Sequence, residues 1–187
     1  MPDLSRMQDD LGFIRSTVDS SSRHSVVSLY FLWAALGLMG FILMDLSPAR
    51  VGQYWMIAGP SGFVLSSYLG WRDQRRSGVM NLADGLRYMQ HWGSMMIAIF
   101  LVVLLAIRGV IPGDGIGPVI LVILALSHFH AGVHLDPPLR WVGLLMVAGF
   151  FIVLSIESYE WTIVGVSIAA AMTVAGILES RRRAVAS

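Results

Sequence analysis

Six long apolar runs decide what this chain can fold into. They occupy residues 26–44, 51–71, 89–107, 118–135, 139–156 and 161–178. A hydrocarbon core of about 30 Å is crossed by around 20 predominantly apolar helical residues. Each run is long enough for that, or nearly so. The runs are continuously apolar rather than alternating, which fits helices and not the strands of a membrane barrel. Turn-forming or arginine-bearing breaks at 45–50, 72–87, 108–117, 136–138 and 157–160 separate them. The last two breaks are so short that the fourth, fifth and sixth helices must form tight antiparallel hairpins. The expected fold is an all-α integral membrane protein, with a six-helix transmembrane bundle over residues 23–187 and a short amphipathic helix within residues 1–22.

Composition narrows the function classes. Hydrophobic residues make up 56% of the chain and charged residues 13%, against roughly 45–50% and 25% in an average soluble domain. Thirteen basic and twelve acidic residues nearly cancel, so no basic field exists to hold nucleic acid. Cysteine is absent, which excludes disulfides, iron–sulfur clusters and thiolate metal ligands. All the basic residues are arginines, and their placement fixes an expected topology. If both termini share one side, that side receives eleven of the thirteen arginines, leaving only Arg50 and Arg108 opposite. By the positive-inside rule both termini are then cytoplasmic, in a membrane compatible with the bacterial cytoplasmic (inner) membrane.

Before the first run, Leu4, Met7, Leu11, Ile14 and Val18 recur at steps of three and four, an apolar stripe on one helix face. The polar face mixes arginine with aspartate, whereas helices that lie on anionic lipid are usually rich in basic residues. A helix resting on the membrane or on the protein's own loops accounts for the stripe. A docking or self-association helix accounts for it too, because the same spacing makes a short coiled-coil seam.

The densest chemistry is histidine. His91 lies just inside the third run, and His128, His130 and His134 lie in the last third of the fourth. Ionisable groups within a span are costly and by default mark a site turned into the bundle. Two cofactor readings follow. His91 and His130 sit at matching depth on consecutive helices, as axial ligands of a b-type haem would, with Arg87 and Arg140 placed to meet propionates. Alternatively His130 and His134, spaced i, i+4, take a divalent metal with Asp136 or His91 completing the shell. Against both stands the simpler reading that these rings hydrogen-bond to backbone carbonyls near the headgroups.

The string Gly59-Pro60-Ser61-Gly62 is similar in four residues to the serine motif of rhomboid-type intramembrane proteases. It departs from that family in lying in the second span rather than the fourth and in having no histidine in the sixth. It reads equally as a proline kink whose small residues admit a close helix neighbour. Gly37 and Gly40, and Gly165, Ala169, Met172 and Gly176, form further small-residue faces for packing within the chain or between copies. The two halves of the chain share no matching breaks, and the carboxylates sit at run ends or in loops, so a transporter repeat is not favoured. The functional expectation is a non-enzymatic accessory, assembly or scaffold component of a membrane complex. Its partners would be the bilayer and either other membrane subunits or copies of itself. A haem b or metal protein for electron transfer or sensing is the alternative.

Overall fold

The computed structural model describes residues 26–77 and 82–186, so the N-terminal stripe and His24 lie outside the described residues. Six α-helices and no strand occur among them: α1 (Val27–Leu46), α2 (Pro48–Ser77), α3 (Leu82–Ile107), α4 (Gly113–His134), α5 (Leu139–Ser155) and α6 (Glu160–Ala186). Each apolar run of the sequence thus lies within a helix, apart from a residue at some ends. Four helices carry stretches long and apolar enough to cross a membrane: Val27–Leu46, Gly85–Ile107, Gly113–His134 and Glu160–Val185. The helix Leu139–Ser155 is apolar but shorter. A multi-pass membrane protein is the environment these helices suit.

Local chemistry explains where the helices stop. Pro48 starts α2, a position where its missing N–H costs nothing, directly after Ser47 N–H has closed α1 on Leu43 O. Helix α3 ends on Gly109, at φ 70°. There Gly109 N–H bonds to Ala106 O and Val110 N–H to Leu105 O. That is the Schellman pattern, in which glycine takes the left-handed conformation at no steric cost. The α4–α5 corner is made by Pro137 and Pro138, which cannot continue a helix. Leu135 and Asp136 N–H both close on Ala131 O, and Leu139 N–H then closes on Asp136 O.

In space the helices follow the order α2, α1, α6, α5, α4, α3, each packed on the next. The main contiguous cluster of buried residues is built by α1, α4, α5 and α6, through residues such as Tyr30, Phe41, Leu121, Val142, Trp161, Val164 and Met172. Helix α6 is the most enclosed, with 44% of its apolar window buried, against 6% for α3. Helices α2 and α3 lie outside this four-helix core, on α1 and α4 respectively. Contacts identify one end of the bundle. Arg183 near the end of α6 reaches Asp73 near the end of α2 at 3.3 Å. His91 near the start of α3 meets Ser127 in α4, and Tyr30 at the start of α1 meets Asp136.

Small residues set how closely the helices approach. A Cβ on Gly143 would lie 2.5 Å from Phe129 N, and one on Gly132 would run into the Arg140 backbone, so α4 and α5 touch main chain to main chain. Gly165 and Gly176 of α6 receive Phe41, Tyr30 and Phe31 of α1, and Gly40 of α1 receives Trp55 of α2. The small-residue faces expected from the sequence are therefore used inside the chain, except that Gly37 faces open space. Backbone cannot yield as a side-chain tip can. Gly132→Ala should lower stability by about 1–3 kcal/mol, the usual cost of overpacking, while Gly37→Ala should stay within about 0.5 kcal/mol of wild type. Unfolding of the purified variants in one detergent checks this.

Candidate functional site

The arginine-bearing end of the bundle gathers the polar side chains singled out in the sequence. His91, a third of the way along α3, turns its Nε2 to Ser127 O at 3.0 Å. His128, buried to 9% exposure, turns its Nδ1 to Leu124 O of its own helix at 2.8 Å. A carbonyl only accepts, so the partner assigns the tautomer: the proton is on Nε2 of His91 and on Nδ1 of His128. Between them stands Trp92, edge-on to both rings, with centroids 4.9 Å from His91 and 5.2 Å from His128. This ladder joins α3 to α4, and the carbonyl-bonding role holds for both rings.

Asp136 follows a different logic. It sits at the α4–α5 corner at 5% exposure and accepts from Tyr30 Oη at 2.5 Å, with Tyr30 itself at 3%. A carboxylate in such a place needs a strong donor, since an unpaired one would be very costly. The distance is that of a charge-assisted O–H···O⁻ bond. At the opposite end Asp45, at the foot of α1, accepts from Thr162 N–H at 2.6 Å. The carboxylate thus caps an orphan donor at the N-terminus of α6, where the helix dipole favours negative charge.

The remaining candidates divide. His130 and His134 are exposed on α4 and lie within electrostatic reach of His91. Arg87, Gln90, His91, His134 and Leu135 line an open cleft of about 360 Å³ between α3 and α4. Of the haem set, His91 and His130 therefore sit on neighbouring helices and Arg87 lines the cleft. Arg140 lies on α5, its guanidinium 5.3 Å from the Trp141 ring centroid. Of the metal set, His130 and His134 share α4, whereas Asp136 is turned to Tyr30. Among the described residues no three His, Asp or Glu side chains group closely enough to hold a metal ion. Ser61 donates to Ile57 O at 2.7 Å within α2, and α2 packs on α1 and touches α6 through Asp73 and Arg183. Ser61 and His128 are not brought together.

Three participants were missing from the sequence reading: Tyr30, Trp92 and the Asp45 cap. Asp136 carried a signal for the first. A carboxylate between an apolar helix and two prolines, in a corner too tight to reach water, must find its donor inside the bundle. Tyr30→Phe removes that donor and leaves the shape intact, so it should cost about 1.5–3 kcal/mol, the range for hydrogen bonds to charged groups. Tyr54→Phe, whose hydroxyl bonds to Leu36 O at 2.7 Å, should cost about 1 kcal/mol. Thermal or denaturant unfolding of the two variants in the same detergent compares them, and equal losses would contradict the role given to Asp136.

No protein-family model matches the chain, and no curated protein or solved structure matches it either. What it does is argued from its own residues.

Proposed function

We propose that the chain is a six-span protein of the bacterial inner membrane, with both termini cytoplasmic, and that it serves as a non-enzymatic accessory, assembly or scaffold component of a membrane protein complex. Two helices need justification as spans. Helix α5 has 17 residues, about 25 Å at 1.5 Å per residue, which a slightly thinned bilayer accommodates. Helix α2 has 30 residues and is the most polar, but Tyr54 and Ser66 are turned to α1, and Ser61 and Ser67 donate to carbonyls of their own helix. Tyr54 Oη donates to Leu36 O, and Trp33 Nε1 donates to Ser66 Oγ at 3.0 Å. A helix whose polar side chains are satisfied in this way can lie in lipid. The arginine asymmetry supports the sidedness.

One observation carries the accessory role. The carboxylates at both ends of the bundle join helices, Asp136 to Tyr30 and Asp45 to Thr162, while α2 and α3 pack mainly on one neighbour each and present long apolar flanks outward. Met56, Ile57, Phe63 and Val64 of α2, and Ile97, Phe100, Leu101 and Leu104 of α3, are all exposed. Outer helices held by so little of their surface suit lateral contact with other membrane subunits or with a second copy. Photo-crosslinkers placed at Ile57 and Phe100 in native membranes should give protein adducts, and one at Phe151 on α5 should give lipid adducts only. Lipid adducts alone at all three positions contradict the role.

A haem b site for electron transfer or sensing draws its support from His91 and His130, which stand on neighbouring helices within electrostatic reach of each other. An optical spectrum of the purified protein before and after dithionite separates the two. The accessory role expects no Soret band. A band that shifts on reduction and is lost in His91→Ala would replace it with the haem role.

A further inference from the structure

We propose that the cleft between α3 and α4 binds a phosphate group. Arg87, Gln90 and His91 stand at i, i+3 and i+4, which places them on one face of α3. The last turn of α4 brings His134 to the same cleft. The lining polar groups are rich in donors: a guanidinium fork, a side-chain amide and an imidazole. His91 has its Nε2–H engaged by Ser127 O, so the donors that remain for a ligand are those of Arg87, Gln90 and His134. Among the described lining residues none is acidic. Asp136, next along the chain to Leu135, is buried against Tyr30.

The sign of the ligand follows from Arg87. A guanidinium cannot be deprotonated in a protein, so a metal cation in the cleft would face a permanent positive charge. An oxyanion would gain a paired, geometrically matched contact, and phosphate accepts such a fork well. Arg87 also interacts within the protein, and its guanidinium carries five N–H donors. The volume of about 360 Å³ admits a phosphate together with groups esterified to it.

Position points to a source. Arg87 lies two residues into the apolar stretch Gly85–Ile107, and His134 is the last residue of Gly113–His134. The cleft is therefore at the rim of the apolar zone, the level at which a bilayer carries its headgroup phosphates. A soluble phosphate compound arriving from the aqueous side would meet the same donors. The proposal does not depend on the accessory role.

The test uses the full chain in mild detergent with three probes: short-chain phosphatidylglycerol, diacylglycerol with the same chains, and inorganic phosphate. Binding is read by native mass spectrometry and titration calorimetry. The variants are Arg87→Gln and His134→Gln, with Arg108→Gln at the opposite end as control. All three side chains are exposed, and unchanged thermal unfolding confirms that the variants fold. Phosphatidylglycerol should bind in preference to diacylglycerol, and Arg87→Gln and His134→Gln should each weaken it about tenfold, as loss of a charged hydrogen bond does, with Arg108→Gln unchanged. The same variant pattern with inorganic phosphate, and no preference among the lipids, assigns the site to a soluble ligand. Equal phosphatidylglycerol and phosphate binding in all variants, or none of either probe bound, overturns the proposal.

Discussion

A carboxylate buried at a helix corner is the constraint around which this bundle closes. Asp136 is 5% exposed at the turn made by Pro137 and Pro138, and it cannot stay buried without a donor. Tyr30 supplies one from the first turn of α1. The bond spans a separation of 106 residues and draws the start of the first helix onto the hairpin of the fourth and fifth. Asp45 does the complementary work at the other end by capping α6 from the foot of α1. Between these two carboxylates α1 is pinned at both ends, and its apolar face is left to pack on α6.

What fills the space between the pins is shape rather than polarity. In lipid, apolar surface alone gives helices little reason to associate, so close packing and a few hydrogen bonds must do it. Phe41 stacks on Trp161 at 6.1 Å between centroids and fits over Gly165. The α4–α5 pair depends on Gly132 and Gly143 for main-chain contact. The two outer helices are attached more sparingly, α3 through the His91–Trp92–His128 ladder and α2 through Trp33, Tyr54 and Gly62. This gradient from enclosed α6 to open α3 leaves the outer flanks available for lipid or for another protein.

Much of this was legible in the sequence because a continuous apolar run records the thickness of the hydrocarbon rather than the length of the helix. All six runs lie within helices, to within a residue at the ends, but α2 continues past Trp71 to Ser77 and α3 begins at Leu82. Nothing in those polar flanks breaks a helix, and solvated turns add no apolar signal. Periodicity also showed small residues without showing their partners. Gly37 and Gly165 look alike in sequence, yet one faces open space and the other Phe41. The histidine site was legible only as a cluster. That His91 would meet Ser127 O across the helix pair, and that His134 would share a cleft with Arg87, depends on how α3 is rotated against α4, which no local pattern encodes.

The proposed topology turns the arginine-bearing end of the bundle, with Tyr30–Asp136 and the α3–α4 cleft, to the cytoplasm. The absence of native cysteine makes that directly measurable. Single cysteines at Arg50, Arg75, Ser158 and Ser180, probed in intact cells with a membrane-impermeant maleimide, report the side of each. Arg50→Cys and Ser158→Cys should react in intact cells, and Arg75→Cys and Ser180→Cys only after lysis. Reaction of Arg75→Cys and Ser180→Cys from opposite sides, or of both in intact cells, would contradict the account.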